Sequence, residues 1–153
     1  MDGTKIRLSA KEMELVTNAD WILTKNGIID KGKTLFGELQ EELIAHLKTI
    51  SSLLPVDVTR IPPKISKGEN YNGLPYLILD YPRIFDKQNI FAIRTLFWWG
   101  NFFSITLHLG GVHKDEYEKN VYSPLNYSNN TIFTSASIRM NGNITLIHPI
   151  TYP

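Results

Sequence analysis

Nine side chains in the second half of the sequence have the functional groups and the spacing to form one binding site. They supply a carboxylate, two guanidinium groups, an imidazole, two hydroxyls and three aromatic rings: Tyr76, Asp80, Arg83, Arg94, Trp98, Phe102, Ser104, Thr106 and His108. An arginine anchors anionic groups, and a histidine donates a hydrogen bond or transfers a proton near neutral pH. Bounded by aromatic walls, such a set predicts a pocket for a small anionic or amphipathic ligand.

Three other uses of these residues are open at the level of sequence. His108 is a candidate general acid or base, with Arg94 or Arg83 as the substrate anchor, which would make the protein an enzyme. In a purely structural alternative, Asp80 pairs with Arg94 and nothing binds. Self-association through the same surface, or through the neighbouring aromatics, is a third possibility. We favour a binding or accessory module, with an enzyme as the alternative.

The element that must position these residues is the stretch from Asn89 to Gly111, NIFAIRTLFWWGNFFSITLHLGG. It predicts two antiparallel strands joined by a three-residue loop, Trp98-Trp99-Gly100, with Gly100 in the left-handed conformation. Strand side chains alternate between faces, so an odd loop sorts them cleanly. One face is almost entirely apolar, with Phe91, Ile93, Thr95, Phe97, Phe103, Ile105, Leu107 and Leu109. The other, which we call the mixed face, has Ala92, Arg94, Leu96, Trp98, Phe102, Ser104, Thr106 and His108.

An even loop would instead place Arg94 beside Leu107 and blur both faces. We therefore expect the odd loop. A further strand, Tyr76 to Tyr81, is bounded by Pro75 and Pro82, and its alternation adds Tyr76, Ile78 and Asp80 to the mixed face.

The N-terminal third predicts two amphipathic helices. Ser9 and Glu12 have the spacing of a capping box, and Asn26-Gly27 is a stop signal for the first helix. The second helix is expected from Thr34 to Ile50. Residues 55–73 suggest a long irregular connection. A last hairpin is expected over Thr131 to Ile150, with its turn at Asn141-Gly142.

The predicted fold class is α+β: two N-terminal helices packed on one face of an antiparallel, hairpin-built sheet of about five strands. We predict a single domain over residues 1–153, with a helical part at 1–54 and a sheet part at 74–153.

Residues Gly27 to Thr34, GIIDKGKT, match the phosphate-loop pattern GxxxxGK[ST]. In nucleotide-binding proteins that loop connects a buried strand to a helix. Here the pattern follows a helix, and Ile28 and Ile29 are bulky where the loop needs compact residues. We therefore interpret Gly27 as a helix end and disfavour nucleotide binding.

Composition excludes several classes of function. The absence of cysteine excludes disulfides, zinc-thiolate sites and thiol catalysis. A net charge of +1 is unlike the basic footprint of a nucleic-acid-binding protein. With neither an export segment nor a membrane-spanning run, we predict a cytoplasmic protein that does not engage membranes. His108 and His113 are five residues apart, but no metal-ligand spacing accompanies them, so we predict no metal site and no cofactor.

Overall fold

The fold is α+β, with helices followed by an antiparallel sheet, as the sequence predicts. A computed structural model describes residues 6–117 and the backbone of 131–139 and 146–147. Its helices are α1 (Ala10–Thr17), α2 (Ala19–Thr49) and α3 (Val112–Tyr117), with a short 3-10 turn at Ser51–Leu53. Its strands are β1 (Lys64–Tyr71), β2 (Leu74–Phe85), β3 (Ile90–Trp98), β4 (Phe102–Gly110), β5 (Thr131–Arg139) and β6 (Leu146–Ile147). These six described strands lie side by side in chain order. The sequence predicted about five strands, so the sheet has one strand more than expected.

The capping box at the start of α1 is confirmed, but the first helix does not end at Asn26-Gly27. The Ser9 amide donates to Glu12 Oε2 at 2.6 Å, and the Glu12 amide donates to Ser9 Oγ at 3.3 Å. The break falls at Asn18, whose side chain accepts from the Trp21 amide at 2.9 Å and so caps α2. Helix α2 then continues for 31 residues because buried positions recur at helical spacing beyond the predicted stop.

The phosphate-loop pattern therefore lies within a helix. Residues 27–34 are all helical, so their backbone amides are not arranged as a loop around a phosphate. The second predicted helix has no separate start at Thr34, but its end agrees with the structure to within one residue.

Glycines of α2 are expected to respond in opposite directions to alanine. A Cβ at Gly27 or Gly37 meets no atom within 4 Å, so alanine there should raise the free energy of unfolding by about 0.5–1 kcal/mol through helix propensity. A Cβ at Gly32 would lie 2.6 Å from Cδ1 of the fully buried Leu77 and 3.5 Å from the Phe97 ring. Overpacking of about 1–3 kcal/mol then exceeds the helical gain. Urea unfolding of the three variants checks the signs; a stabilising Gly32→Ala would contradict this packing.

Strand β1 corrects the prediction of an irregular connection over 55–73. Its sequence, KISKGENY, is mostly polar because β1 is an edge strand with one neighbour, and most of its side chains are exposed. Ile65 alone among them packs against the main core. A single partly buried hydrophobic position gives no alternating pattern, so hydrophobic periodicity does not predict this strand.

The β3–β4 hairpin confirms the odd loop, one residue later than predicted. Trp98 pairs with Phe102, so the loop is Trp99, Gly100 and Asn101, and Gly100 has a φ of 72°. Arg94 lies opposite Thr106 and not beside Leu107. Both predicted faces are therefore sorted as expected. For the last hairpin, β5 and β6 pair antiparallel, whereas Asn141-Gly142 lies outside the described residues.

The apolar face of the sheet packs against α2. The main core joins the helix to the middle of β2 and β3 through Ile29, Phe36, Leu47, Leu77, Leu79, Tyr81 and Phe97. A smaller cluster of Val58, Phe91 and Leu109 continues it toward α3. Of the two N-terminal helices, α2 supplies these contacts, and α1 has no buried residue. The opposite, mixed face is consequently left clear of α2.

No helix in the described part of the chain has the length and apolar character needed to cross a membrane.

Candidate ligand-binding cavity

Strand registers bring the predicted residues together in rows across β2, β3 and β4. Residues directly opposite on neighbouring antiparallel strands share a face, with Cβ atoms about 5 Å apart. The first row contains Tyr76, Trp98 and Phe102, and the second contains Ile78, Leu96 and Ser104. The third contains Asp80, Arg94 and Thr106, and His108 follows it, opposite Ala92.

The mixed face contains a cavity of about 360 Å³. Five of the nine predicted residues line it, namely Tyr76, Arg94, Ser104, Thr106 and His108, and the remaining lining is Tyr71, Ile78, Phe85, Ala92 and Leu96. The volume lies within the range of about 300–1,000 Å³ that is typical of small-molecule sites. Most of the lining is aliphatic or aromatic, so an apolar body would be well accommodated.

An Arg94–Asp80 ion pair is the central polar feature of this face. Arg94 Nε donates to Asp80 Oδ1 at 2.7 Å, and Nη2 donates to Oδ2 at 2.9 Å. The Asp80 side chain is 10% exposed, whereas that of Arg94 is 45% exposed. The hydrogen bonds to Asp80 raise the pKa of Arg94 above its ordinary value, although burial opposes the shift. The buried Asp80 carboxylate therefore fixes the orientation of the half-exposed Arg94 guanidinium through two hydrogen bonds.

Aromatic side chains close one end of the cavity. The Tyr71 ring lies edge-on to Trp98, with centroids 4.9 Å apart, and to Tyr76 at 6.0 Å. Trp98 also donates from Nε1 to the Tyr71 carbonyl at 3.1 Å and meets Phe102 edge-on at 5.4 Å. The Tyr76 ring covers Gly68 so closely that a Cβ there would collide with it. Trp98 and Phe102 thus support the wall from outside the lining.

Phe85 and Tyr71 line the cavity but were missed from sequence. The β2–β3 register shifts between Asp80 and Arg83, near the cis Tyr81–Pro82 bond, so side-chain parity reverses along β2. Phe85 thereby joins the mixed face, 5.7 Å from the Arg94 guanidinium and 6.4 Å from the His108 ring. Pro82 within an apolar run was a usable signal for this irregularity. Tyr71 had no such signal, because β1 itself was not predicted.

Arg83 is placed away from the cavity lining. It lies opposite Ala92 in the register, but its Nε donates to the Pro62 carbonyl at 2.6 Å. That bond fastens the connection before β1 to the end of β2. Of the two predicted anchors, Arg94 alone lines the cavity.

His108 is half-buried, and its surroundings disfavour the charged imidazolium. Burial lowers the pKa of His108 below its ordinary value of 6.5, and the nearby Arg94 charge lowers it further. The imidazole is therefore neutral near pH 7, the form that accepts a proton or a hydrogen bond.

This lowered pKa predicts an acid-side loss of stability. Below about pH 6.5 the unfolded chain binds a proton at position 108 that the folded chain does not bind. The free energy of unfolding therefore decreases as the pH decreases. The loss is complete below the folded-state pKa. His108→Gln should flatten this slope between pH 5 and 7 in urea titrations. The exposed His46→Gln is the control; if it removes as much of the slope, the assignment to His108 is wrong.

His113 lies on the other side of the sheet from His108. Its ring meets Phe91 edge-on with centroids 5.7 Å apart, and Phe91 belongs to the core face. Among the described residues, no group of three or more histidine or acidic side chains is arranged to hold a metal ion.

The aromatics at the hairpin tip pack mostly on their own neighbours. Phe97 stacks on Phe103 with centroids 4.4 Å apart and on Trp99 at 5.9 Å. Trp98 and Phe102 meet edge-on, and all four tip residues, Trp98, Trp99, Phe102 and Phe103, are only partly exposed. The aromatic residues at the tip of the β3–β4 hairpin therefore extend the packing of the core and do not form an exposed apolar patch.

Comparison of this chain with protein-family models, with curated proteins and with solved structures returns no match.

Proposed function

We propose that the protein is a cytosolic binding module that holds a small amphipathic ligand in the cavity of the mixed face. One observation carries the proposal: a half-exposed arginine, fixed by a buried carboxylate, stands in a cavity with aromatic and aliphatic walls. Small-molecule sites commonly combine an apolar enclosure with few, well-oriented polar groups. The arginine would fix the orientation of the ligand, and the walls would supply most of the binding free energy.

The apolar part of the ligand would lie over Ile78, Ala92 and Leu96. Ala92 and Leu96 are buried beneath the cavity and offer no polar side-chain atoms, and Ile78 is partly buried. The Tyr71, Tyr76 and Phe85 rings add flat surfaces around this floor. A hydrocarbon or aromatic body suits such a surface because burial contributes roughly 25 cal/mol for each Å² removed from water.

The polar end of the ligand would be a hydrogen-bond acceptor, with a carboxylate as the best fit. Arg94 uses two of its five N–H bonds on Asp80, and the remaining three can approach an acceptor in the half-exposed part of the cavity. Hydrogen bonds from guanidinium to carboxylate are about twice as strong as those between neutral groups. Ser104, Thr106 and His108 provide hydroxyl and imidazole partners nearby.

The proposal is tested by titrating anilinonaphthalene sulfonate, an aromatic anion whose fluorescence rises in apolar sites. We expect one saturable site on the wild type, and displacement by decanoate about tenfold more strongly than by decanol. The double variant Asp80→Asn/Arg94→Gln removes both charges but keeps similar side-chain volumes, and it should weaken probe binding at least about tenfold.

A matched control comes from a second Arg–Asp pair. Arg60 and Asp57 form an exposed ion pair at 2.7 Å outside the cavity lining, so Asp57→Asn/Arg60→Gln should leave probe binding unchanged. The near-UV circular dichroism spectrum of each variant should match that of the wild type, which shows that the probe is not binding nonspecifically to a loosened fold. Equal affinity of the two double variants, or no saturable binding by the wild type, would refute the proposal.

Catalysis is a second candidate function, supported by the neutral imidazole of His108 in the cavity. A base with a lowered pKa is available for proton abstraction near pH 7. The two functions separate at His108→Ala. A binding module should keep its affinity for the probe within about threefold, since most of the contact is apolar. An enzyme acting through His108 would lose turnover of a ligand that it still binds.

A further inference from the structure

The Arg94–Asp80 ion pair carries no net charge, although the proposed ligand is an anion. The guanidinium contributes one positive charge and the carboxylate one negative charge, with Arg94 Nε and Asp80 Oδ1 2.7 Å apart. An anion that binds the remaining N–H groups of Arg94 adds a negative charge to a pair that is already neutral. Such a charge is costly in a partly buried site, because it loses hydration without gaining a balancing partner.

Two further cations of the mixed face lie outside the cavity lining. Lys64 is opposite Asp80 on the edge strand β1, where it is exposed. Arg83 donates from Nε to the Pro62 carbonyl at 2.6 Å and does not line the cavity. Water and salt screen charges at exposed positions, so these two cations balance a bound anion only weakly.

His108 lines the cavity and can gain a positive charge near neutral pH. It lies in the row next to that of Arg94 on the mixed face, and the Phe85 ring contacts both residues. The centre of that ring is 5.7 Å from the Arg94 guanidinium and 6.4 Å from the centre of the His108 ring. A head group bound at Arg94 in this part of the cavity would therefore also be near the imidazole.

A bound anion would change the electrostatic surroundings of His108. In the free protein, burial lowers the pKa of His108, and the Arg94 charge from β3 lowers it further. From β2, Asp80 is engaged by Arg94. On β5, the other neighbour of β4, the ionisable residue is Arg139, which pairs with Phe102 at the opposite end of β4 from His108. An anion beside Arg94 offsets the guanidinium charge and so favours the imidazolium.

We infer that His108 takes up a proton when the anionic ligand binds and becomes a second cationic anchor beside Arg94, an inference that rests on the proposed binding function. At pH 8 we expect a neutral imidazole with or without the ligand, so protonation adds nothing to the affinity. As the pH decreases, the liganded protein gains the proton first, and the affinity rises until the free protein is protonated as well. The cavity would thus hold an anion more tightly in mildly acidic solution.

The test is the dissociation constant of anilinonaphthalene sulfonate between pH 8 and pH 5.5, measured by fluorescence titration. The sulfonate stays ionised throughout this range, so a change in affinity reports on the protein. We expect the wild type to bind about tenfold more tightly at pH 5.5 than at pH 8. His108→Gln retains a hydrogen-bonding side chain that cannot gain a proton, so its dissociation constant should change by less than about twofold. His46→Gln, at an exposed position of α2, is the matched control and should retain the tenfold change.

Calorimetry measures the proton uptake directly. At pH 6.5 the heat of probe binding to the wild type should depend on the ionisation enthalpy of the buffer, with roughly half a proton or more taken up for each probe molecule. His108→Gln should take up none, a difference that a purely structural role of His108 would not produce. Near-UV circular dichroism defines the pH range over which the fold is intact, because acid-loosened folds also bind the probe.

Saturable binding with the same affinity across this pH range, and without proton uptake, would overturn the inference and leave the binding function standing. Proton uptake that persists in His108→Gln would also overturn it and assign the proton to another group. If the wild type shows no saturable binding at any pH, the binding function fails and the inference fails with it.

Discussion

Arg94→Met is expected to lower the free energy of unfolding by about 2–3 kcal/mol. The substitution leaves the Asp80 carboxylate, which is 10% exposed, without the two hydrogen bonds from the guanidinium. Removing one member of a buried ion pair costs about 3–5 kcal/mol, and solvent around the half-exposed Arg94 reduces that figure. Asp80→Asn should cost less, about 1–2 kcal/mol, because Arg94 can regain water.

A double-mutant cycle isolates the interaction between these two side chains. Asp80→Leu/Arg94→Met removes both charges together, and it should be more stable than Arg94→Met alone because no charge stays buried and unpaired. Urea unfolding of the wild type, Asp80→Leu, Arg94→Met and the double variant gives the coupling free energy, because urea, unlike guanidinium chloride, does not screen the ion pair. Arg60→Met, at an exposed ion pair, serves as the control and should cost less than about 1 kcal/mol. If Arg94→Met were no more costly than this control, the pair would not be stabilising the mixed face.

Phe36→Ala is expected to have the largest effect, lowering the free energy of unfolding by about 3–5 kcal/mol. Phe36 is 1% exposed and lies in the core cluster with Leu77 and Leu79, where α2 meets the sheet. Truncation removes its contacts and leaves a cavity that the rigid sheet fills only partly. Since small domains are stable by about 5–15 kcal/mol, such a loss brings the chain close to unfolding.

The neighbouring Leu35→Ala provides the control for this truncation. Leu35 is 48% exposed, so alanine should change the free energy of unfolding by less than about 0.5 kcal/mol. Circular dichroism in a urea titration measures both variants on the same helix. Similar losses for the two would mean that α2 is not anchored through Phe36.

The pairing of the two central strands was predictable because it depends on local and periodic signals. Side chains alternate with a period of two, and Gly100 marks a loop that holds an odd number of residues. Only a loop with an odd number of residues gives a continuous apolar face. The placement of Arg94, Thr106 and His108 on the same face therefore followed from the alternation of side chains along the two strands. The Ser9–Glu12 capping box was equally local and is confirmed.

The helix boundary near Gly27 was wrong because a local signal competed with tertiary packing. Asn-Gly ends many helices, yet its cost within a helix is only about 1 kcal/mol. Burial of Ile29, Gly32 and Phe36 against the sheet outweighs that cost and carries α2 through the position. Asn18 separates α1 from α2, because its side chain caps the start of α2. The capping residue and Asn26-Gly27 are local signals of similar strength, so the sequence alone does not show which of them ends the first helix.

By itself, the sequence determined the α+β class, the apolar and mixed faces of the central hairpin, and the presence of Arg94 and His108 on the mixed face. These follow from alternation and turn chemistry, which act over a few residues. The tertiary structure decided that β1 borders the sheet, that a register shift turns Phe85 into the cavity, and that Asp80 holds Arg94 while Arg83 bonds elsewhere. Those features depend on contacts between distant segments, whose free energies no local pattern encodes.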